Sequence, residues 1–202
     1  MSLYEFEDEH RRGAAQYICG VDEAGRGPLA GAVYAAAVIL PQEPRIEGLN
    51  DSKKLSAKKR EALFEEIINK AVAFNICAVD ERIIDEINIL EATMRAMREA
   101  VLGLKIKPDM VYIDGNRCPD LGSISSEFVI GGDAISASIA AASILAKVSR
   151  DSYMAELAKV YPQYFFEKHK GYGTALHYEM LDKYGASPVH RLSFLKKWGA
   201  AK

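Results

Sequence analysis

Two rhythms of apolar and polar positions run along this chain. Short apolar runs at 17–22, 31–40, 74–79, 110–114 and 127–130 have the length of strands and are bounded by Gly, Pro, Asn or Asp. Gly25, Gly27 and Pro28 force a tight turn between the first two, which predicts an antiparallel pair and not a helical crossover. After a loop over 41–55, Ser56 can cap a helix in which Leu63, Phe64, Ile67, Ile68 and Ala71 recur every three or four positions and bury one stripe. Helical spacing returns over 83–104 in two segments meeting near Asn88, and again over 134–161, where Ala137, Ala140, Ala141 and Ser143 allow close packing on a sheet. A last helix, 174–184, stops at Gly185, which suits a left-handed cap. This order predicts an α/β fold with a mixed sheet: a polar lead-in over 1–16, then a single domain over 17–202 whose C-terminal part is helical.

Composition narrows the class. With 202 residues, 49% hydrophobic and 27% charged, the chain can bury one sizeable core and belongs to no fibrous or disordered class. No run approaches the roughly 20 apolar residues of a membrane helix, and the acidic start is unlike a secretion signal, so a cytoplasmic protein is expected. Cys19, Cys77 and Cys118 have neither disulfide nor zinc-knuckle spacing and read as free thiols. Net charge is −2, but residues 147–202 hold ten Lys/Arg against five Asp/Glu, leaving −7 for the remainder. An acidic pocket for cations beside a basic surface for phosphates would produce that asymmetry.

Carboxylates at the ends of apolar strands are the informative chemistry, because a half-buried charge is costly without a partner. Asp22 and Glu23 close the first strand, Asp114 closes the fourth, and Asp133 follows the fifth. If these ends converge, a divalent cation must neutralise them, and an all-oxygen set suits Mg²⁺ or Mn²⁺. Adjacent strand residues face opposite ways, so the first strand is expected to end or bend at Asp22 and Glu23. Gly25-Arg26-Gly27 offers backbone N–H groups and a guanidinium for a phosphate or sugar edge. Lys53 and Lys54, and the run Lys168-His169-Lys170-Gly171-Tyr172, are basic clusters in loop-like sequence, the second carrying a ring able to stack. His169, His177 and His190 lack metal-ligand spacing and read as surface or hydrogen-bonded residues.

The segment from Cys19 to Gly31, CGVDEAGRGPLAG, resembles the signature of the ribonuclease HII family. Further blocks resemble it in order: GLNDSKKL from Gly48, YIDG from Tyr112, Gly132-Asp133 with SIAAASILAKV from Ser138, HKGY from His169 and HRLSF from His190. The resemblance spans about residues 17 to 195. It implies a ribonuclease H-like fold, a five-stranded mixed sheet flanked by helices with a C-terminal helical extension. It implies an endonuclease that cuts the RNA strand of RNA–DNA hybrids, and 5′ of ribonucleotides embedded in DNA, using two divalent ions held by Asp22, Glu23, Asp114 and Asp133. Gly25, Arg26, Gly27 and Tyr172 match the positions that read the 2′-hydroxyl, with Lys53 and Lys170 as further substrate contacts. This chain has Gly131 and Gly173 where many relatives resemble Lys and Pro. A monomer is expected, and 196–202 shows no pattern for binding a sliding clamp. A DNA nuclease or resolvase of related fold and a non-catalytic hybrid-binding module are the competing readings.

Overall fold

The computed structural model describes residues 3–11 and 15–199. Five strands, β1 (Ile18–Ala24), β2 (Val33–Ile39), β3 (Ala73–Val79), β4 (Met110–Asp114) and β5 (Ser125–Val129), form one sheet in the order β3-β2-β1-β4-β5. The β1–β2 and β2–β3 pairs are antiparallel and the β1–β4 and β4–β5 pairs parallel, giving the expected mixed sheet. Helices α1 (Leu3–Arg11), α2 (Ala57–Lys70), α3 (Glu81–Ile87), α4 (Ile89–Leu102), α5 (Ala137–Val160), α6 (Phe166–His169), α7 (Ala175–Tyr184) and α8 (Lys196–Gly199) complete it. No helix among the described residues is long and apolar enough to cross a membrane.

The pleat sorts each strand between two cores. Cys19 and Val21 of β1 join Val33, Ala35 and Ala37 of β2 against Ala92, Ala96 and Met97 of α4. On the other face, Ala36 and Val38 meet Ala137, Ala140, Ala141 and Ile144 of α5, with Leu63 and Ile67 of α2 beyond. Helix α5 lies so close that a Cβ added at Gly20 would stand 2.1 Å from the carbonyl carbon of Ser138 and 2.2 Å from the nitrogen of Ile139.

Most boundaries shift by a residue or two from expectation, and three differences are larger or change the packing. The long helix begins at Ala137 and not 134, because Ser136 caps it by accepting the Ile139 N–H (3.3 Å). Asp133 therefore sits in a separate 3-10 turn, Gly132–Ala134, entered through Gly131 in the left-handed conformation at φ 66°. The lead-in holds a helix: Glu7 of α1 is fully buried and accepts the Ser138 N–H (2.6 Å) and the Ser136 hydroxyl (2.9 Å) at the head of α5. Its partners lie over a hundred residues away, so local pattern carried no sign of it. Strand β5 is Ser125–Val129 and not 127–130; it is an edge strand with little burial, so its register comes from pairing with β4.

The C-terminal helices build a third core from Leu29, Met154, Tyr164, Phe166, Met180 and Leu181. Within it the three histidines are buried and hydrogen-bonded, the second of the two readings the sequence allowed. The Gly171 N–H donates to His169 Nδ1 (3.2 Å) and the Ser187 N–H to His190 Nδ1 (2.9 Å), which leaves Nε2–H as the donor on each ring. His190 Nε2 meets His177 Nε2 at 3.0 Å, and His177 Nδ1 meets the Tyr172 carbonyl at 3.0 Å. This relay works only with neutral rings. Burial, with the neighbouring histidines adding to it, pushes His177 and His190 down to about 4. A folded value below the unfolded one means stability present above about pH 6.5 and lost as pH falls through about 4, on the order of 3 kcal/mol for one such histidine. Melting curves from pH 7 to 4 should show this, and His177→Asn, which keeps the donor to Tyr172, should be less stable at pH 7 yet flatter across the range. An unchanged slope would refute it.

Candidate active site

The C-terminal ends of β1 and β4 lie side by side, and chain chemistry collects there. Pairing between β1 and β4 stops at Val21 and Ile113, while pairing between β1 and β2 runs on to Ala24. The strand therefore neither ends nor turns away at Asp22 and Glu23, as expected from the alternation rule; it overhangs its parallel neighbour, and both acids line one cleft. That cleft, about 190 Å³, is lined also by Gly25, Ser52, Lys53, Ser143, Lys147, Arg150 and Tyr172. Larger hollows, about 470 Å³ around Val101 and Pro108 and about 640 Å³ against Phe128, bring no two carboxylates together.

Asp22 is 6% exposed and faces α5, within hydrogen-bond reach of Ser143. Burial pushes its carboxyl well above the ordinary carboxylate range, and the charges of Glu23 and Asp114 push it further. Glu23 is raised by burial and by Asp114 against the pull of Arg26, whose Nη1 lies 3.4 Å from its Oε1. Asp114 adjoins the cleft and accepts the Gly132 N–H at 2.7 Å, tying the β4 end to the turn that carries Asp133. Asp133 is raised by burial, by Asp114 and by Asp51, and lowered by Lys53. Burial works against Lys53's charge, but Asp22, Asp133, Asp51 and Asp114 together outweigh it and hold the ammonium raised. The four selected acids thus share one electrostatic neighbourhood. Among the described residues no three acid, histidine or cysteine side chains close on one point. The donor set is carboxylate only, with Asp22 and Asp133 buried and Glu23 and Asp114 half-buried, and it fits hard divalent ions whose remaining ligands come from water and phosphate oxygens.

Of the other selected residues, Lys53, Gly25 and Tyr172 line the cleft, and Arg26 and Gly27 continue the loop beside it; a Cβ at Gly27 would come within 3.7 Å of the Tyr172 ring. Lys170 does not join them: it lines a separate hollow with Arg60, Glu61 and Asp151, its backbone in the left-handed region. The acidic front and basic rear meet where Lys147 and Arg150 stand among the acids. Sequence reading missed Asp51, which caps the turn carrying Lys53, and it missed Arg150 and Arg191, both fully buried. Asp51 could have been flagged by its place in the Asn50-Asp51-Ser52 cap; the arginines had no local signal.

A mixed five-stranded sheet with acids gathered at adjacent strand ends is the arrangement of a ribonuclease H, a hydrolase of phosphodiester bonds in nucleic acid, and the all-carboxylate donor set suits divalent metal. The Ribonuclease HII family model matches residues 19–197, and the chain belongs to that family. It is 55% identical over 195 residues to the ribonuclease HII of Caldicellulosiruptor bescii, covering 96% of this chain and 94% of that one. It is 56% identical over 193 residues to that of Endomicrobium trichonymphae, covering 96% and 92%. Among solved structures, ribonuclease H2 from Pyrococcus horikoshii OT3 superposes with a TM-score of 0.73 at 28% identity over 88% of this chain and 93% of that one. The ribonuclease HII of a PCNA complex from Archaeoglobus fulgidus superposes with 0.74 at 27% identity over 87% and 94%. The fold is also that of Bst-RNase HIII, with a TM-score of 0.68 at 18% identity over 92% and 69%.

Proposed function

We propose that this ribonuclease H cuts the RNA strand of RNA–DNA hybrids and the phosphodiester 5′ of a ribonucleotide embedded in duplex DNA, leaving 5′-phosphate and 3′-hydroxyl ends. The observation that carries this reading is one cleft lined by Asp22 and Glu23 together with Gly25 and Tyr172. Asp22, Glu23, Asp114 and Asp133 would hold two divalent ions, Mg²⁺ or Mn²⁺. When bound, the ions would supply charge stabilisation at a phosphate and make water more acidic. Asp22, whose carboxyl lies in the field of both Glu23 and Asp114, would be the central member of that set. Asp133 would join the set from its own turn, Gly132–Ala134, entered through Gly131. Lys53 offers its ammonium to the scissile phosphate. The N–H edge of Gly25-Arg26-Gly27 and the Tyr172 ring read the 2′-hydroxyl, the group that separates RNA from DNA. The chain acts as a monomer in the cytoplasm. A complex with PCNA is described for the Archaeoglobus protein; residues 196–202 here show no clamp-binding pattern.

The test is a labelled DNA duplex with one ribonucleotide, beside an all-DNA duplex and a long hybrid, with Mn²⁺, Mg²⁺ or EDTA. A single metal-dependent cut 5′ of the ribonucleotide is expected, and none in EDTA. Equal cutting of the all-DNA duplex would discard the 2′-hydroxyl reading and favour a DNA nuclease. Binding that survives EDTA without product under any metal would leave a binding module.

A further inference from the structure

The loop that follows β1 is gripped from behind by two arginines drawn from distant parts of the chain. Arg191, fully buried, donates Nη2–H to the Gly25 carbonyl (2.7 Å), Nη1–H to the Arg26 carbonyl (3.0 Å) and Nε–H to the Gly31 carbonyl (2.9 Å). Arg150 of α5, also fully buried, donates to the carbonyls of Ala30 (3.4 Å), Ala32 (3.3 Å) and Lys170 (3.0 Å), and its guanidinium stands 5.8 Å from the Tyr172 ring centroid. Gly25, at φ 98°, lies against it so tightly that a Cβ would fall 2.0 Å from Arg150 Nε. Arg150 Nη1 is buried without a hydrogen-bond partner, and neither arginine makes an ion pair among the described residues.

Burying two like charges side by side is expensive, and the carboxylates that act on them, Glu81 and Asp85 on Arg191 and Asp151 on Arg150, do so without a direct ion pair. Six carbonyl contacts offset part of that cost, and an apolar pair would fill the same space more cheaply. What an apolar pair would not do is take up the carbonyl edge of the loop. Among the described residues the backbone N–H groups of Arg26 and Gly27 have no partner, so the opposite edge is left as a row of donors. We propose that Arg191, with Arg150 beside it, is a positioning pair for substrate selection: by holding the carbonyls of Gly25 and Arg26 inward, it presents the N–H edge of the loop, in register with Tyr172, to the ribose 2′-hydroxyl. Neither arginine touches the reacting phosphate in this role. The inference rests on the proposed reading of the 2′-hydroxyl by Gly25-Arg26-Gly27.

The experiment reads ribose preference: the Ki of an all-DNA duplex as competitor divided by the KM of the duplex with one ribonucleotide. Arg191→Lys keeps the charge but not the three-pronged grip, so the preference should fall about tenfold through KM, with kcat changed far less. Met180→Ala, a core change in the same lobe, controls for lost stability and should lower Tm without moving the preference. If Arg191→Lys lowers Tm alone, the pair is only a strap and the inference is overturned. If Arg191→Lys does not fold, Arg150→Lys is read by the same two outcomes. Arg26→Ala and Gly27→Ala test the underlying reading separately: a preference unmoved by both discards 2′-hydroxyl recognition, whereas one moved by them and not by the lysine variants discards the positioning pair.

Discussion

Asp22→Asn should lower cleavage by about a thousandfold or more at saturating Mg²⁺ or Mn²⁺, since metal-centred charge stabilisation is worth several kcal/mol and each 1.4 kcal/mol is about tenfold. In EDTA the same variant should melt higher than the wild type, because asparagine keeps the shape and removes a buried charge repelled by Glu23 and Asp114. Each kcal/mol so relieved shifts Tm by about 2–4 °C in a chain of this size. Adding Mg²⁺ should then stabilise the wild type, by about 2.7 kcal/mol at a hundred times its Kd, and leave the variant nearly unmoved. Activity and calorimetry together decide the matter. Retained cleavage at saturating metal would remove Asp22 from the site, and a lower Tm in EDTA would mean that its carboxylate supports the fold through Ser143 more than it strains it.

Gly20→Ala should be the most destabilising of the conservative changes in the sheet. The new methyl would stand 2.1 Å from backbone of α5, and backbone has no rotamer with which to yield. Overpacking of this kind costs about 3 kcal/mol or more, a fall in Tm of roughly 6–12 °C. Because β1 also carries Asp22 and Glu23, any shift of α5 away from it moves Ser143 from Asp22, and cleavage should fall along with stability. A variant of wild-type Tm would mean that α5 slides freely, contrary to its packing on Ala36 and Val38.

The sheet was legible because each strand is apolar and short, and because Asp22, Glu23 and Asp114 break those runs at the ends where charge belongs only for a reason. Asn88 marked the junction of α3 and α4, where its backbone turns to φ 70° and its side chain caps Leu90 and Glu91. Asp133 was found, but as the mouth of a helix; its own 3-10 turn follows from Ser136 and Glu7 claiming the start of α5. Lys170 shows the opposite failure, since a basic residue beside a stacking tyrosine looks like a substrate contact whether its backbone points into the cleft or past it. Arg150 and Arg191 were invisible for a deeper reason. An arginine within a polar stretch looks solvated, and only the folded chain reveals carbonyls from residues 25 to 32 turned toward it. Resemblance to the ribonuclease HII family supplied the substrate, which residue pattern alone had left as an unnamed phosphate.

Helix α5 carries both Ser143, within reach of Asp22, and Arg150, which holds the loop and the chain beside Tyr172. Seven positions separate them, two turns of one unbroken helix, so they share a face about 10 Å apart. On the proposed reading the helix is a caliper, one jaw beside Asp22 of the acidic cluster and the other behind the loop that reads the sugar. On that reading the offset of the cut from the ribose follows from helical rise, and it is expected to be the same for every base sequence the duplex presents.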